Sequence, residues 1–205
     1  MRRLLILFAR VGYVNVIDKL FFSLYNIYSN EKESFMNINE KYKEITVYDL
    51  ENANKLIVKD WMLITARDGD GANAMTASWG GLGELWNTHV AFCFVRPERY
   101  TCSLIEKDER ISLAFFDEEY RPALTFCGKN SGRDMDKLAA AGLTTSEIDG
   151  VPIINEAKTL LICKKLYADD IKESCFVDKD MLKYYEEGGF HRFYVMEVEK
   201  VLVKE

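Results

Sequence analysis

Proline is scarce in this chain, three residues in 205, and no Pro-rich linker divides it. Histidine is scarcer still: His89 and His191 are the only two, too few for a histidine-built metal site. The five cysteines (Cys93, Cys102, Cys127, Cys163 and Cys175) include no C-x-x-C pair. An odd number at irregular spacing is neither a disulfide framework nor a zinc site, and it reads as free thiols in a reducing cytoplasm. Positive charge is in deficit: 27 Lys and Arg stand against 33 Asp and Glu, a net charge of -6. A nucleic-acid partner needs a basic face, so that class is set aside. Internal repeats and low-complexity tracts are absent. So are the Rossmann fingerprint, the P-loop, the G-x-S-x-G elbow and the H-E-x-x-H helix. What remains is 48% hydrophobic, enough for one globular domain with a buried core.

The first 35 residues differ from the rest. Arg2 and Arg3 lead into Leu4–Phe8 like the start of a signal peptide. Arg10, Asp18 and Lys19 interrupt the apolar runs, and the longest uncharged run here, Leu20–Asn30, is well short of the ~20 residues a spanning helix needs. No clean small-x-small cleavage pattern follows, so no membrane segment is expected. Three readings stand: a surface amphipathic helix, a poor signal, or translation from upstream of the natural start. The third is favoured. Met36-Asn-Ile-Asn opens an ordinary soluble chain, and Lys32-Glu33 can be encoded as AAGGAG, a ribosome-binding sequence suitably placed before a Met36 codon. Residues 1–35 are read as a leader and 36–205 as the domain. Peptides from residues 1–35 in a digest of the natural protein would overturn this.

The stretch Asn73-Ala-Met-Thr-Ala-Ser-Trp-Gly-Gly81 alternates. On a strand, Ala74, Thr76 and Ser78 point one way, and Asn73, Met75, Ala77 and Trp79 the other. The hydroxyls of Thr76 and Ser78 then sit roughly 6–7 Å apart on one face, where they can hold an anionic or polyol ligand. Gly80-Gly81 lets a backbone come close to something. An ordinary half-buried strand ending in a glycine turn is the plain alternative, and alternation alone favours it.

Residues 61–67 and 72–79 read as a hairpin around the turn Asp68-Gly-Asp-Gly71. Tyr42–Leu50 reads as an edge strand or approach loop. His89–Val95 is an apolar strand, expected to be buried on both faces and stopped by Pro97. Thr101 is expected to cap a short helix through Glu106. Ile111–Phe116, Thr159–Tyr167 and Arg192–Val203 read as strands, and Asp178–Glu187 as a helix ending at Gly188-Gly189. After the expected loop Gly128–Arg133, Ser131-Gly-Arg-Asp134 has capping-box form ahead of a helix from Asp136 to Ala141. Lys129 and Arg133 would flank that helix N-terminus, where free N–H groups favour an anion. A solvated helix start is the plain alternative, and by itself the better one. About seven strands and three short helices, with strand following strand, imply a mainly β antiparallel barrel with helical insertions.

Four segments occur together in order: Asn73–Trp79, Val95–Thr101 (VRPERYT), Phe115–Arg121 (FFDEEYR) and Cys127–Lys137 (CGKNSGRDMDK). In series they resemble the flavin reductase-like family of FMN-binding split barrels, most closely its flavoredoxin branch. The resemblance runs from Tyr42 to about Val203. It implies a six- or seven-stranded antiparallel Greek-key split β-barrel, a homodimer, and FMN held non-covalently near the subunit interface. It implies that Thr76 and Ser78 face the flavin and its phosphate tail. Asn73 belongs to the same cofactor segment, and Met75, Ala77 and Trp79 would supply backbone contacts or cover. Arg96, Arg99 and Thr101 lie where the family binds ribityl or phosphate, and Lys129, Ser131 and Arg133 mark a second loop approaching the phosphate. Hydroxyls, arginines and helix N-termini suit a dianionic phosphate. Which arginine would touch FMN, and which would pair with Glu98, Glu118 or Glu119, stays open.

With FMN bound, the isoalloxazine would carry the chemistry. The first expectation is a flavin or ferric reductase that moves hydride from NADH or NADPH to the flavin. Electrons would pass on to free flavin, iron, a small quinone or a redox protein. No catalytic side chain and no metal ligand are assigned. The second is a flavoredoxin-like electron carrier without its own nicotinamide site, and the third a haem or pyridoxal-phosphate binder on the same barrel. His191 would approach the flavin or nicotinamide or be structural; the structural reading is preferred, as for His89. Cys127 would be redox-active only with a lowered pKa, for instance beside Lys129, and a buried inert thiol is preferred. Trp79 would shield the flavin edge or fill a core or interface. Tyr100 and Tyr120 would stack on a ring or fill a dimer interface.

Overall fold

The computed structural model describes residues 41–50 and 52–205; the leader reading of 1–35 lies outside the described residues. The strands are β1 (Tyr42–Ile45), β2 (Met62–Asp68), β3 (Gly71–Ala77), β4 (Gly80–Leu85), β5 (Thr88–Val95), β6 (Arg110–Phe115), β7 (Thr145–Ile148), β8 (Val151–Ile154), β9 (Thr159–Asp170) and β10 (Arg192–Lys204). The α-helices are α1 (Tyr100–Ile105), α2 (Arg121–Lys129) and α3 (Lys137–Ala140).

The expected hairpin is present. β2 and β3 pair from Met62↔Ala77 to Asp68↔Gly71, and Gly69 takes the turn at φ +59, a conformation glycine adopts without strain. The main sheet runs β3-β2-β6-β9-β10-β5-β4, with every neighbouring pair antiparallel. β10 changes partner midway: Arg192–Glu197 pairs with β5, and Val201–Lys204 pairs with β1. Register shifts against β9 at Val195/Met196 and Val198/Lys200 accompany the change, as bulges bend a strand and sharpen its twist.

Period-two alternation builds two cores. Inside, Met62, Ile64, Met75, Ala91, Cys93, Leu113, Phe115, Leu161, Cys163, Tyr194 and Met196 form one buried cluster. Their neighbours Leu63, Thr65, Ala74, Ser112, Ala114, Leu160 and Ile162 are also fully buried. They lie on the opposite face, which the β7–β8 hairpin and α2 cover through contacts with β2, β3 and β6. Each fully buried Leu or Ile there contributes about 1.5–3 kcal/mol.

The described chain has ten strands rather than about seven. β4 and the β7–β8 hairpin were not expected. The burial of β5 is also corrected: Ala91, Cys93 and Val95 are buried, whereas Phe92 and Phe94 are half-buried on the other face. There they stack with Phe193 at 5.9 and 5.1 Å. Arg99, not Thr101, takes the N-cap position of α1. α2 continues through Gly128 and Lys129, so the loop begins at Asn130. α3 is a single turn capped by Asp136, whose carboxylate accepts from Ala139 N at 3.1 Å. Ser131 Oγ instead accepts from Arg133 N within the loop, at 3.2 Å. Asp178–Glu187 contains a 3-10 helix, Lys179–Tyr185, in place of an α-helix.

Candidate functional site

Among the expected segments, β3 splits its side chains between two environments. Met75 and Ala77 enter the inner core. Thr76 lies on the outer face, where its hydroxyl donates to the Leu124 carbonyl of α2. Gly128 of the same helix lies against it, with an added Cβ only 3.4 Å from Thr76 Cβ. Ser78 lies just past the end of β3 and is half-buried. Asn73 is buried and donates through Nδ2 to Thr101 Oγ1 at 2.8 Å. These two predicted site residues therefore spend one hydrogen bond on each other, tying β3 to α1.

Gly132 sits directly against this bond. A Cβ there would fall on the Asn73 amide oxygen and 3.2 Å from Tyr100 Cδ1. Tyr100 OH donates to Asp68 Oδ1 at 2.8 Å. Arg133 lies over the Tyr100 ring at 5.0 Å and donates to the Glu98 carbonyl at 3.1 Å. Lys129 ends α2 as an exposed residue.

A buried lysine, Lys137, and a half-buried arginine, Arg99, define the centre of this region. Arg99 Nη1 donates to the Gly128 carbonyl at 2.8 Å, while its Nη2 is buried with no hydrogen-bond partner among the described residues. Lys137, 3% exposed, donates to the carbonyls of Cys127 and Asn130 at 3.2 and 3.1 Å. Burial, then the Arg99 charge, holds the Lys137 ammonium below its ordinary value; burial lowers the Arg99 guanidinium too. Carbonyls at a helix C-terminus suit cations, but their partial charges do not neutralise two full ones. Among the described residues neither cation has a carboxylate among its hydrogen-bond partners. A dianionic phosphate fits this donor set: a spare guanidinium N–H, an ammonium, and no anion already there. Lys137 closes the fourth sequence segment, where its residue type alone does not mark it as buried.

Arg96 serves elsewhere. It donates to the carbonyls of Tyr184, Gly188 and Gly189 at 2.9, 3.2 and 3.2 Å and lies 5.5 Å over the Tyr185 ring. It thereby pins the strap, residues 171–191, that joins β9 to β10. His191, at the end of the strap, is buried, with Nδ1 2.9 Å from Tyr185 OH. Burial, then the Arg96 charge, pushes its pKa down to about 4, so its ring is neutral near pH 7. Trp79 is 46% exposed, which removes a core role. It rests against His191 and Tyr184 at 5.1 and 5.8 Å. His89 is half-buried and meets the Tyr48 ring edge-on at 5.0 Å. Tyr120 packs on Phe116 at 5.7 Å. Of the acids left open, Glu118 pairs with Arg121 at 3.1 Å. Cys127 is fully buried, and burial raises its thiol pKa; the cation acting on it is Lys137, not Lys129. The inert reading of that thiol fits.

Residues 56–205 match the family described as Flavin reductase like domain, and the chain belongs to that family. No curated protein matches the chain. Solved structures do. An FMN-binding domain of a flavin reductases-like enzyme from Shewanella baltica OS155 is 16% identical, with 80% of this chain and 77% of that one covered at a TM-score of 0.59. Flavoredoxin from Methanosarcina acetivorans is 18% identical, with 77% and 76% covered at 0.58. An FMN-binding protein from Thermus thermophilus, with bound p-hydroxybenzaldehyde, is 20% identical, with 80% and 82% covered at 0.58. At these identities the likeness carries the fold, which is the expected split barrel.

Proposed function

We propose that this member of the flavin reductase-like family binds FMN non-covalently and passes hydride from NADH or NADPH through it to an acceptor. The observation that carries the proposal is the Arg99–Lys137 pair at the end of α2, which has a buried spare donor and, among the described residues, no carboxylate hydrogen-bonded to it. When bound, FMN would supply a ring that takes up a hydride and gives up electrons. Arg99 and Lys137 would hold its phosphate. Asn73 and Thr101 would set the spacing of β3 and α1 around the tail, and Ser78 would offer a hydroxyl to it. Thr76 can still accept a hydrogen bond, since its donor is committed to Leu124. His191 would present a neutral ring beside Trp79.

The half-buried stack of Phe92, Phe94 and Phe193 supports a homodimer that covers this apolar face. Free thiols at all five cysteines fit a reducing cytoplasm. The second reading, a flavoredoxin-like carrier, is favoured by exposed Trp79 and Tyr184, which offer a partner protein an aromatic contact at the surface.

Soaking the apoprotein in FMN tests the cofactor. Uptake should give a bound flavin spectrum and a higher melting temperature; a preparation that stays colourless would end the proposal. Anaerobic stopped flow then separates the two readings. Bleaching by NADH or NADPH supports the reductase. Bleaching only by a ferredoxin-like donor supports the carrier.

A further inference from the structure

Trp61 holds a backbone conformation that suits glycine and strains any residue with a Cβ. Its φ is +65 and its ψ 168. It follows a π-helix, Lys55–Asp60, a rare form that concentrates at functional sites. Glycine at this position would trace the same path without strain. Whatever tryptophan contributes therefore comes from its ring.

That ring is held in place. The Arg121 guanidinium lies over it at 4.3 Å. Arg121 is itself fixed by the Lys59 carbonyl at 2.7 Å and the Glu118 carboxylate at 3.1 Å. The tryptophan is half-buried, so part of it remains open. Its position in the fold matters as well. Trp61 and Ser78 are the next residues beyond the Met62–Ala77 pair that ends the β2–β3 ladder. Arg121 opens α2, the helix that receives the Thr76 hydroxyl and whose far end holds Arg99 and Lys137. Nine residues of helix set the two ends about 12 Å apart. A flat ring at one end and a phosphate at the other, joined by a sugar-alcohol chain, match that layout.

We infer that Trp61, backed by Arg121, forms the wall against which the isoalloxazine of FMN lies. This rests on the cofactor reading above. The test compares wild type, Trp61→Gly and Trp61→Phe by thermal melting of the apoproteins and by FMN titration followed through flavin fluorescence. Trp61→Gly should still melt cooperatively, because glycine fits this backbone, and should bind FMN about tenfold more weakly, the scale of one lost aromatic stack. Its bound flavin should emit more brightly, because the indole that quenches it is gone. Trp61→Phe should keep most of the affinity and also brighten the flavin. If wild type takes up no FMN, the cofactor reading fails. If wild type binds and Trp61→Gly binds equally well without brightening, only the role of Trp61 is overturned. Should the glycine variant not fold, flavin emission from Trp61→Phe equal to wild type overturns it too.

Discussion

Arg99 and Lys137 grip carbonyls one residue apart, Gly128 and Cys127, at the end of α2. Lys137→Met should therefore weaken FMN binding by roughly 10- to 100-fold, the ~1.5–3 kcal/mol of a charge-assisted hydrogen bond. Arg99→Met should act similarly. Riboflavin lacks the phosphate, so both variants should bind it as wild type does. Parallel titrations with the two flavins check this, and equal losses for both would remove the cations from the phosphate.

Thr65 Oγ1 is buried with no hydrogen-bond partner among the described residues. Thr65→Val keeps the shape and removes the orphaned hydroxyl. It should stabilise the fold by about 1 kcal/mol, a rise of about 2–4 °C in melting temperature for a domain of this size. Calorimetry of the two proteins decides it, and a lower melting temperature would show that the hydroxyl has a partner in solution.

His191 gives a pH signature. Its folded-state pKa lies at about 4, below the ordinary 6.5. Between those values the unfolded chain binds a proton that the folded chain refuses. Stability is therefore whole above about pH 6.5 and falls as pH drops toward about 4, by roughly 3 kcal/mol in full. His191→Gln should remove most of this slope. Urea unfolding at about pH 7 and about pH 5 measures it, and an unchanged slope in the variant would locate the effect elsewhere.

Arg96 holds the strap through three carbonyls. Arg96→Met should loosen it locally and leave the barrel intact. Lys172, Lys179 and Lys183, all exposed, should then be cut by trypsin faster than in wild type, with little change in global melting. Equal cutting rates would mean the strap holds without the guanidinium.

Much of the barrel could be read from local chemistry. The β2–β3 hairpin announces itself because glycines bracket its turn and β-formers flank it. β4 does not, since Gly80, Gly81 and Gly83 have no side chains to alternate. The β7–β8 hairpin is hidden by its short runs and by Pro152 in β8. Within the site, residue types were legible and partners were not. Thr101 looks like a cap beside Tyr100, yet its partner, Asn73, is 28 positions away. Lys137 looks like a solvated lysine on one helical turn, and only tertiary packing buries it. Trp61 carries its signal in a backbone angle, which no side-chain pattern reports.

Gly132 lies so close to β3 that no side chain fits between the loop and Asn73. The gap between this loop and β3 is thus fixed by an atom left out. Adding one methyl at 132 would press on Asn73, and through it on the helix that carries Arg99.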